Sequence, residues 1–145
     1  MCFVVEWGHE KRMLKEKNKK MPGFIYVGLG GAAGAIARYF ISLLPSKTEF
    51  PIWTLVTNFA GALLIGFIVG FVSANTENSQ RFTLFWKTGV CGGFTTFSTF
   101  SLEALGLLEQ GKTAMGISYI GLSVVLCIVG VYLGRMMSIA VVRGE

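Results

Sequence analysis

Four apolar stretches, Gly23 to Leu44, Ile52 to Ser73, Phe82 to Leu108 and Thr113 to Met137, take up most of this 145-residue chain. Each reaches the ~20 residues that a helix needs to cross the hydrocarbon core of a bilayer. The gaps leave room for little else: Pro45 to Pro51 reads as a turn, Asn75 to Gln80 as a polar loop and Glu109 to Lys112 as a tight return. The expected fold is an all-α integral membrane protein. One four-helix membrane domain spans 23–137, with a basic tail at 1–22 and a short C-terminal tail at 138–145. Charged residues make up only 14% of the chain, against roughly 25% in soluble domains.

The third stretch carries a run that lipid alone does not tolerate: Gly92-Gly93-Phe94-Thr95-Thr96-Phe97-Ser98-Thr99-Phe100-Ser101. Every backbone N–H and C=O needs a partner in hydrocarbon, so a helix-weakening Gly pair before Thr-Thr belongs where it is buried in protein or lines a watery cavity. The third helix is expected to break near its middle, and the break is a candidate ion site. Gly pairs four apart recur in every span, at Gly30/Gly34, Gly66/Gly70, Gly89/Gly93 and Gly130/Gly134. Such spacing lets helices approach closely. A bundle this small leaves little space along its own axis, so conduction of anything implies an oligomer.

Six of the 13 Lys and Arg residues (Lys11, Arg12, Lys15, Lys17, Lys19 and Lys20) crowd into the first twenty positions. The apolar run behind them is too long for a signal peptide and lacks an A-x-A-like site, so the tail reads as a solvated extension of an uncleaved helix. It acts as a topology signal, binds anionic lipid, or follows from an upstream start with Met21 as an alternative. With Arg81, Lys87, Arg135 and Arg143, the tail puts ten basic residues on one side against Lys47 and Lys112 on the other, which places the N-terminus in the cytoplasm. Without the tail the bias is weak enough for insertion either way.

Several polar residues inside the spans need a reason to be there. Arg38 faces a bundle interior or cavity, as intramembrane Arg usually does, or snorkels to the nearby interface. Asn58 donates to an anion or serves as interhelical glue; on its own the glue reading is the stronger. Phe97 and Phe100 share a helix face and present the positive edges of their rings, lining an anion path or simply packing. Tyr119, Ser123 and Cys127 recur every four residues. Their hydroxyls bond the preceding turn's carbonyl or continue a track from Ser98 and Thr99, with the local bond slightly favoured.

Enzymatic readings fail. The sole His, His9, lies in the tail, and no nucleophile has an evident base. Cys2, Cys91 and Cys127 form no C-x-x-C pair and no closed disulfide set. Gly28-Leu29-Gly30-Gly31-Ala32-Ala33 fits a dinucleotide fingerprint in letters, but Glu49 follows a turn instead of ending a second strand.

Taken together, the Gly92–Ser101 run, Gly30-Gly31-Ala32-Ala33-Gly34-Ala35-Ile36-Ala37-Arg38-Tyr39 and Val56-Thr57-Asn58-Phe59-Ala60-Gly61 make this chain resemble the Fluc/CrcB fluoride channels over about Phe24 to Met136. The resemblance implies a passive, fluoride-selective channel in the bacterial plasma membrane that lowers cytoplasmic fluoride. It implies an antiparallel, dual-topology dimer with two pathways along the subunit interface, and a structural sodium ion held by main-chain carbonyls of Gly92 and Thr95. By the same resemblance Phe97 and Phe100 contact fluoride, Asn58 lies beside the pathway and Arg38 near a vestibule. Tyr119 and Ser123 form a hydroxyl track to which Thr96, Ser98 and Thr99 contribute. The expected partners are fluoride, membrane lipid and a second subunit, identical or related, with no nucleic acid.

The tail departs from the family pattern, and its charge bias conflicts with dual insertion unless it is not made or the partner is oppositely biased. Two other functions fit a small bundle. A multidrug antiporter needs a membrane-embedded carboxylate, and all eight acidic residues are Glu at positions away from span centres. A non-conducting scaffold explains the Gly pairs but not the Phe and hydroxyl cluster.

Overall fold

Prolines set where the first two helices begin. A computed structural model describes residues 22–74 and 79–144. In it α1 (Gly23–Ser42) follows Pro22, whose backbone is extended, and Ile25 N–H donates to the Pro22 carbonyl at 3.0 Å. α2 (Ile52–Ala74) follows Pro51, whose carbonyl accepts from Leu55 N–H at 3.2 Å. Proline suits a helix start because its missing N–H has no intrahelical partner there. The basic tail through Met21, and residues 75–78 of the predicted polar loop, lie outside the described residues.

The third segment is a series of short helical pieces: α3 (Ser79–Thr83), a π-helix, π1 (Leu84–Cys91), and α4 (Gly92–Phe94). Thr95 and Thr96 are then extended before α5 (Phe97–Glu109) restarts. The predicted break is therefore present. Gly111 at φ 74° ends α5, with Lys112 N–H donating to the Leu107 carbonyl at 3.0 Å. That is the left-handed cap for which glycine is suited. α6 (Thr113–Arg143) closes the chain and runs past the expected boundary at Met137, so the predicted C-terminal tail is mostly helix.

Among the described residues three helices, covering 23–42, 52–73 and 113–143, are long and apolar enough to cross a membrane. The third stretch, expected at 82–108 with a break near its middle, starts three residues earlier, and neither part alone has that length. All described elements are helical.

The glycine pairs are where the helices meet. A Cβ at Gly30 would strike the Phe85 carbonyl and one at Gly34 the Val90 carbonyl, while a Cβ at Gly93 would strike the Gly31 carbonyl. α1 thus lies parallel to π1 and α4 with backbones in contact. In the same way a Cβ at Gly66 would meet the Val131 carbonyl, and one at Gly134 the Leu63 carbonyl, so α2 runs parallel to α6. The 43–51 loop and the 110–112 turn consequently share one end of the bundle, where Lys112 Nζ lies 2.8 Å from Glu49 Oε2.

Between the helices the core is small: Leu55, Phe100, Ala104, Leu107 and Tyr119. Large apolar side chains such as Phe24, Leu102, Ile128 and Tyr132 point outward. In water such a surface would aggregate; facing lipid it is at home. The chain is a multi-pass membrane protein.

The two kinds of glycine in α1 give a test. Gly34→Ala meets immovable backbone and should cost about 1–3 kcal/mol by overpacking. Gly28 has nothing within 4 Å of a built Cβ, so Gly28→Ala should hold or slightly raise stability. Thermal unfolding in detergent, followed by circular dichroism, checks this; equal midpoints would contradict the close approach.

Candidate functional site: the break and its groove

The break is held by a side chain from another helix. Asn58 of α2 donates from Nδ2 to the Thr96 carbonyl at 3.2 Å, and Thr96 N–H donates to Asn58 Oδ1 at 2.8 Å. One amide thereby bonds both backbone groups of Thr96, whose N–H lies in the gap between the two helical pieces and whose carbonyl also opens α5 as its N-cap. Just before it, the Cys91 carbonyl accepts from both Thr95 N–H at 3.0 Å and Thr95 Oγ1 at 2.9 Å. Gly61 of α2 makes room, since a Cβ there would strike Thr95 Cγ2. The glue reading of Asn58 is thus realised, with its second amide hydrogen left over.

Thr96 also starts α5. Its Oγ1 accepts from Thr99 N–H at 3.2 Å as an N-cap, donates to Thr99 Oγ1 at 2.9 Å and lies 3.3 Å from Ser98 Oγ. A hydroxyl N-cap stabilises a helix by about 1 kcal/mol. The hydroxyls of Ser98 and Thr99, expected along a pathway, are therefore joined to the cap of the restarted helix. Arg38 reaches the same region: its Nε donates to the Gly93 carbonyl at 3.4 Å, and the side chain is part-buried. It faces the bundle instead of snorkelling away.

Phe97 and Phe100 have adjacent rings, with centroids 5.5 Å apart, but opposite surroundings. Phe97 is 79% exposed and Phe100 only 8%. Phe100 packs on Tyr119 at 5.2 Å, and Tyr119 stands edge-on to Phe50 at 5.5 Å.

Beyond these rings lies a residue that sequence reasoning passed over. Glu103, in α5, accepts from Tyr119 OH on Oε2 and from Thr54 Oγ1 on Oε1, each at 2.8 Å. The expected local bond is therefore not what Tyr119 makes. Ser123 does not make it either: it is buried, 5% exposed, and its Oγ has no partner among the described residues. Glu103 lies away from the centre of the third stretch, as expected, but its carboxylate is part-buried between α2 and α6. The signal available for it was its spacing: with Phe100 three residues before, it shares the face that meets α6.

A groove of about 370 Å³ runs along the break, and Asn58, Thr95, Thr96, Phe97, Phe100 and Ser123 line it together with Gly92 and Lys87. The structure thus brings Gly92, Thr95, Asn58, Phe97, Phe100 and Ser123 to one space. Tyr119 touches it only through Phe100. Arg38 and the Ser98 and Thr99 hydroxyls stand beside the break, outside this lining.

These features define a class: a multi-pass helical membrane protein with a mostly apolar groove, carrying a few polar groups, built on a broken helix. Residues 25–135 match the family model described as CrcB-like protein, Camphor Resistance (CrcB), and the chain belongs to that family. It is 44% identical over 123 residues to a "Fluoride-specific ion channel FluC" of Ruminiclostridium cellulolyticum, covering 83% of this chain and 95% of that one. A protein of the same name from Rhizobium meliloti is 41% identical over 125 residues, covering 84% and 100%. A third, from Methanococcus aeolicus, is 36% identical over 124 residues, covering 85% and 100%. The family is one of ion channels, and the chain is not an enzyme.

Asn58→Leu keeps the volume and leaves the Thr96 N–H unpaired, at about 1–3 kcal/mol, while the Thr96 carbonyl keeps its place at the start of α5. The expected result is a lowered unfolding midpoint and faster hydrogen exchange around Thr96. Unchanged exchange would mean that the break does not depend on the clamp.

Proposed function

We propose that the chain is a subunit of a fluoride channel that lets fluoride leave the cytoplasm passively across the cell membrane. The names of its relatives support the ion. The observation that carries the reading in this chain is the groove, where an unpartnered Ser123 hydroxyl, the Asn58 amide and two Phe rings converge beside a helix break. An anion leaving water needs donors to replace its hydration; ring edges add positive potential, and Lys87 lines the same groove. Ser123 O–H and the free N–H of Asn58 are donors of that kind. The groove shares no wall with Arg38, whose charge instead stands by Gly93 and favours anions nearby.

A groove that is open on one side needs a cover, and Phe97 is the residue it leaves bare. A second copy of this chain, inserted in the opposite direction, is the proposed cover; the pathway then runs between subunits. Each subunit crosses the membrane four times, with the third crossing completed by the two halves of the broken segment. The interior carboxylate of Glu103 removes one objection to a proton-coupled antiporter. Family membership favours the channel.

The residues at the break fit a sodium ion. α4 ends at Phe94 and leaves main-chain carbonyls of its last turn, Gly92's among them, without helical partners. Unwound carbonyls and half-helix C-terminal ends are the groups that hold Na⁺ in broken membrane helices. Gly92 has open space where a side chain would stand. Gly92 and Thr95 would supply carbonyl oxygens, with a second pair from the partner subunit. A bound ion would supply a fixed positive charge that offsets the converging carbonyl dipoles.

Two outcomes are expected. Phe97→Ile and Ser123→Ala each lower fluoride release from liposomes by tenfold or more, on the order of one to two lost contacts, while the purified dimer elutes unchanged; wild-type rates in both would remove the groove from the pathway. Exchange of sodium for potassium lowers the dimer's unfolding midpoint in detergent, and an unchanged midpoint would argue against the sodium site.

A further inference from the structure

A second cavity, of about 330 Å³, opens where the 43–51 loop meets the 110–112 turn, and Glu49, Glu103, Gln110 and Lys112 line it. Glu103 connects this cavity to the interior. Its carboxylate lines the cavity and is held by Tyr119, Tyr119 packs on Phe100, and Phe100 lines the groove at the break. A continuous line of contacts therefore joins the groove to this end of the bundle.

Two carboxylates border that cavity, and both would repel an approaching anion. Lys112 is the cation placed against them. Its Nζ lies 2.8 Å from Glu49 Oε2 and donates to Gln110 Oε1 at 2.8 Å, with its side chain 32% exposed and that of Glu49 66% exposed. An exposed pair of this sort is worth about 0–1 kcal/mol and weakens further with salt. It is a poor fastener for two loops, and Gly111 with its cap already fixes the turn. A weak pair at an aqueous mouth is instead easily exchanged: an anion can take the place of Glu49 beside the ammonium. Glu103 is occupied by Thr54 and Tyr119, so Glu49 is the carboxylate that holds Lys112.

We propose that Lys112 gathers the permeating anion at this mouth and that Glu49 competes with the anion for it, so the pair sets how much anion reaches the Glu103 end of the pathway. The inference rests on the channel reading above and adds to it a concentrating residue and its competitor. A unit charge about 8 Å from an ion in water alters that ion's local concentration roughly two- to threefold. The effect fades as the screening length drops from about 30 Å at 0.01 M salt to 3 Å at 1 M.

The test is the initial rate of fluoride release from liposomes at low fluoride, with an inert organic salt setting ionic strength on both sides. At about 0.01 M, Lys112→Gln should release fluoride two- to threefold more slowly than wild type and Glu49→Gln two- to threefold faster. The double variant, which removes one charge of each sign, should lie between the two single variants, and Lys112→Arg should behave as wild type. All differences should vanish near 1 M. If the pair only fastens the loops, Glu49→Gln and Lys112→Gln will change the rate in the same direction or leave it unchanged, and either result overturns the proposal. Wild-type protein that releases no fluoride would overturn the channel reading and this inference together, a result distinct from a conducting wild type with indifferent variants.

Discussion

The pair of hydrogen bonds between Asn58 and the peptide groups of Thr96 is the contact on which the site depends. A helix break within lipid exposes donors and acceptors that cost about 1–3 kcal/mol each when unpaired; the Thr96 carbonyl opens α5, but its N–H finds its partner on another helix. A primary amide has both a donor and an acceptor, so one side chain from α2 closes both. With the break fixed, Thr96 is free to cap α5, and Phe97 and Phe100 take their places on its first turn. The same break leaves carbonyls at the end of α4. Pathway, cap and ion site are thus three consequences of one discontinuity.

The rest of the bundle serves to bring α2 and α6 against that discontinuity. Backbone contact at Gly66 and Gly134 draws α2 onto α6, and contact at Gly30, Gly34 and Gly93 draws α1 onto the third segment. Packing of this kind holds helices where lipid provides no hydrophobic drive. It leaves the larger apolar side chains facing outward and only a few polar groups inside. Of these, Asn58 and Ser123 line the groove and Thr54, Glu103 and Tyr119 bond one another behind Phe100, while Thr57 bonds its own helix and Ser138 is buried against Gly70.

Much of this was legible in the residues. Length and hydropathy give the helices, and Gly-Gly-Phe-Thr-Thr gives the break because that composition has no stable helical solution in lipid. Four-residue glycine spacing gives the contact faces. Other features depended on partners far away in sequence. Whether Arg38 turned inward was open until Gly93 was placed beside it, and the local bonds favoured for Tyr119 and Ser123 lost to a carboxylate in one case and to no partner in the other. Glu103 was discounted because position along a span says little about which neighbours a side chain meets. The π-helix at Leu84–Cys91 and the extension of α6 to Arg143 carry no marker in composition, since the hydrophobic pattern simply continues through both.

Release of anion from liposomes containing the purified wild-type protein tests the central claim most directly. Vesicles are loaded with potassium fluoride or potassium chloride, valinomycin carries the balancing potassium, and an ion-selective electrode reads the outside. A groove of hydroxyl and amide donors and ring edges, with Lys87 in its lining, in a fluoride channel predicts fast release of fluoride and negligible release of chloride. Retention of fluoride, or release of both ions at equal rates, would contradict it.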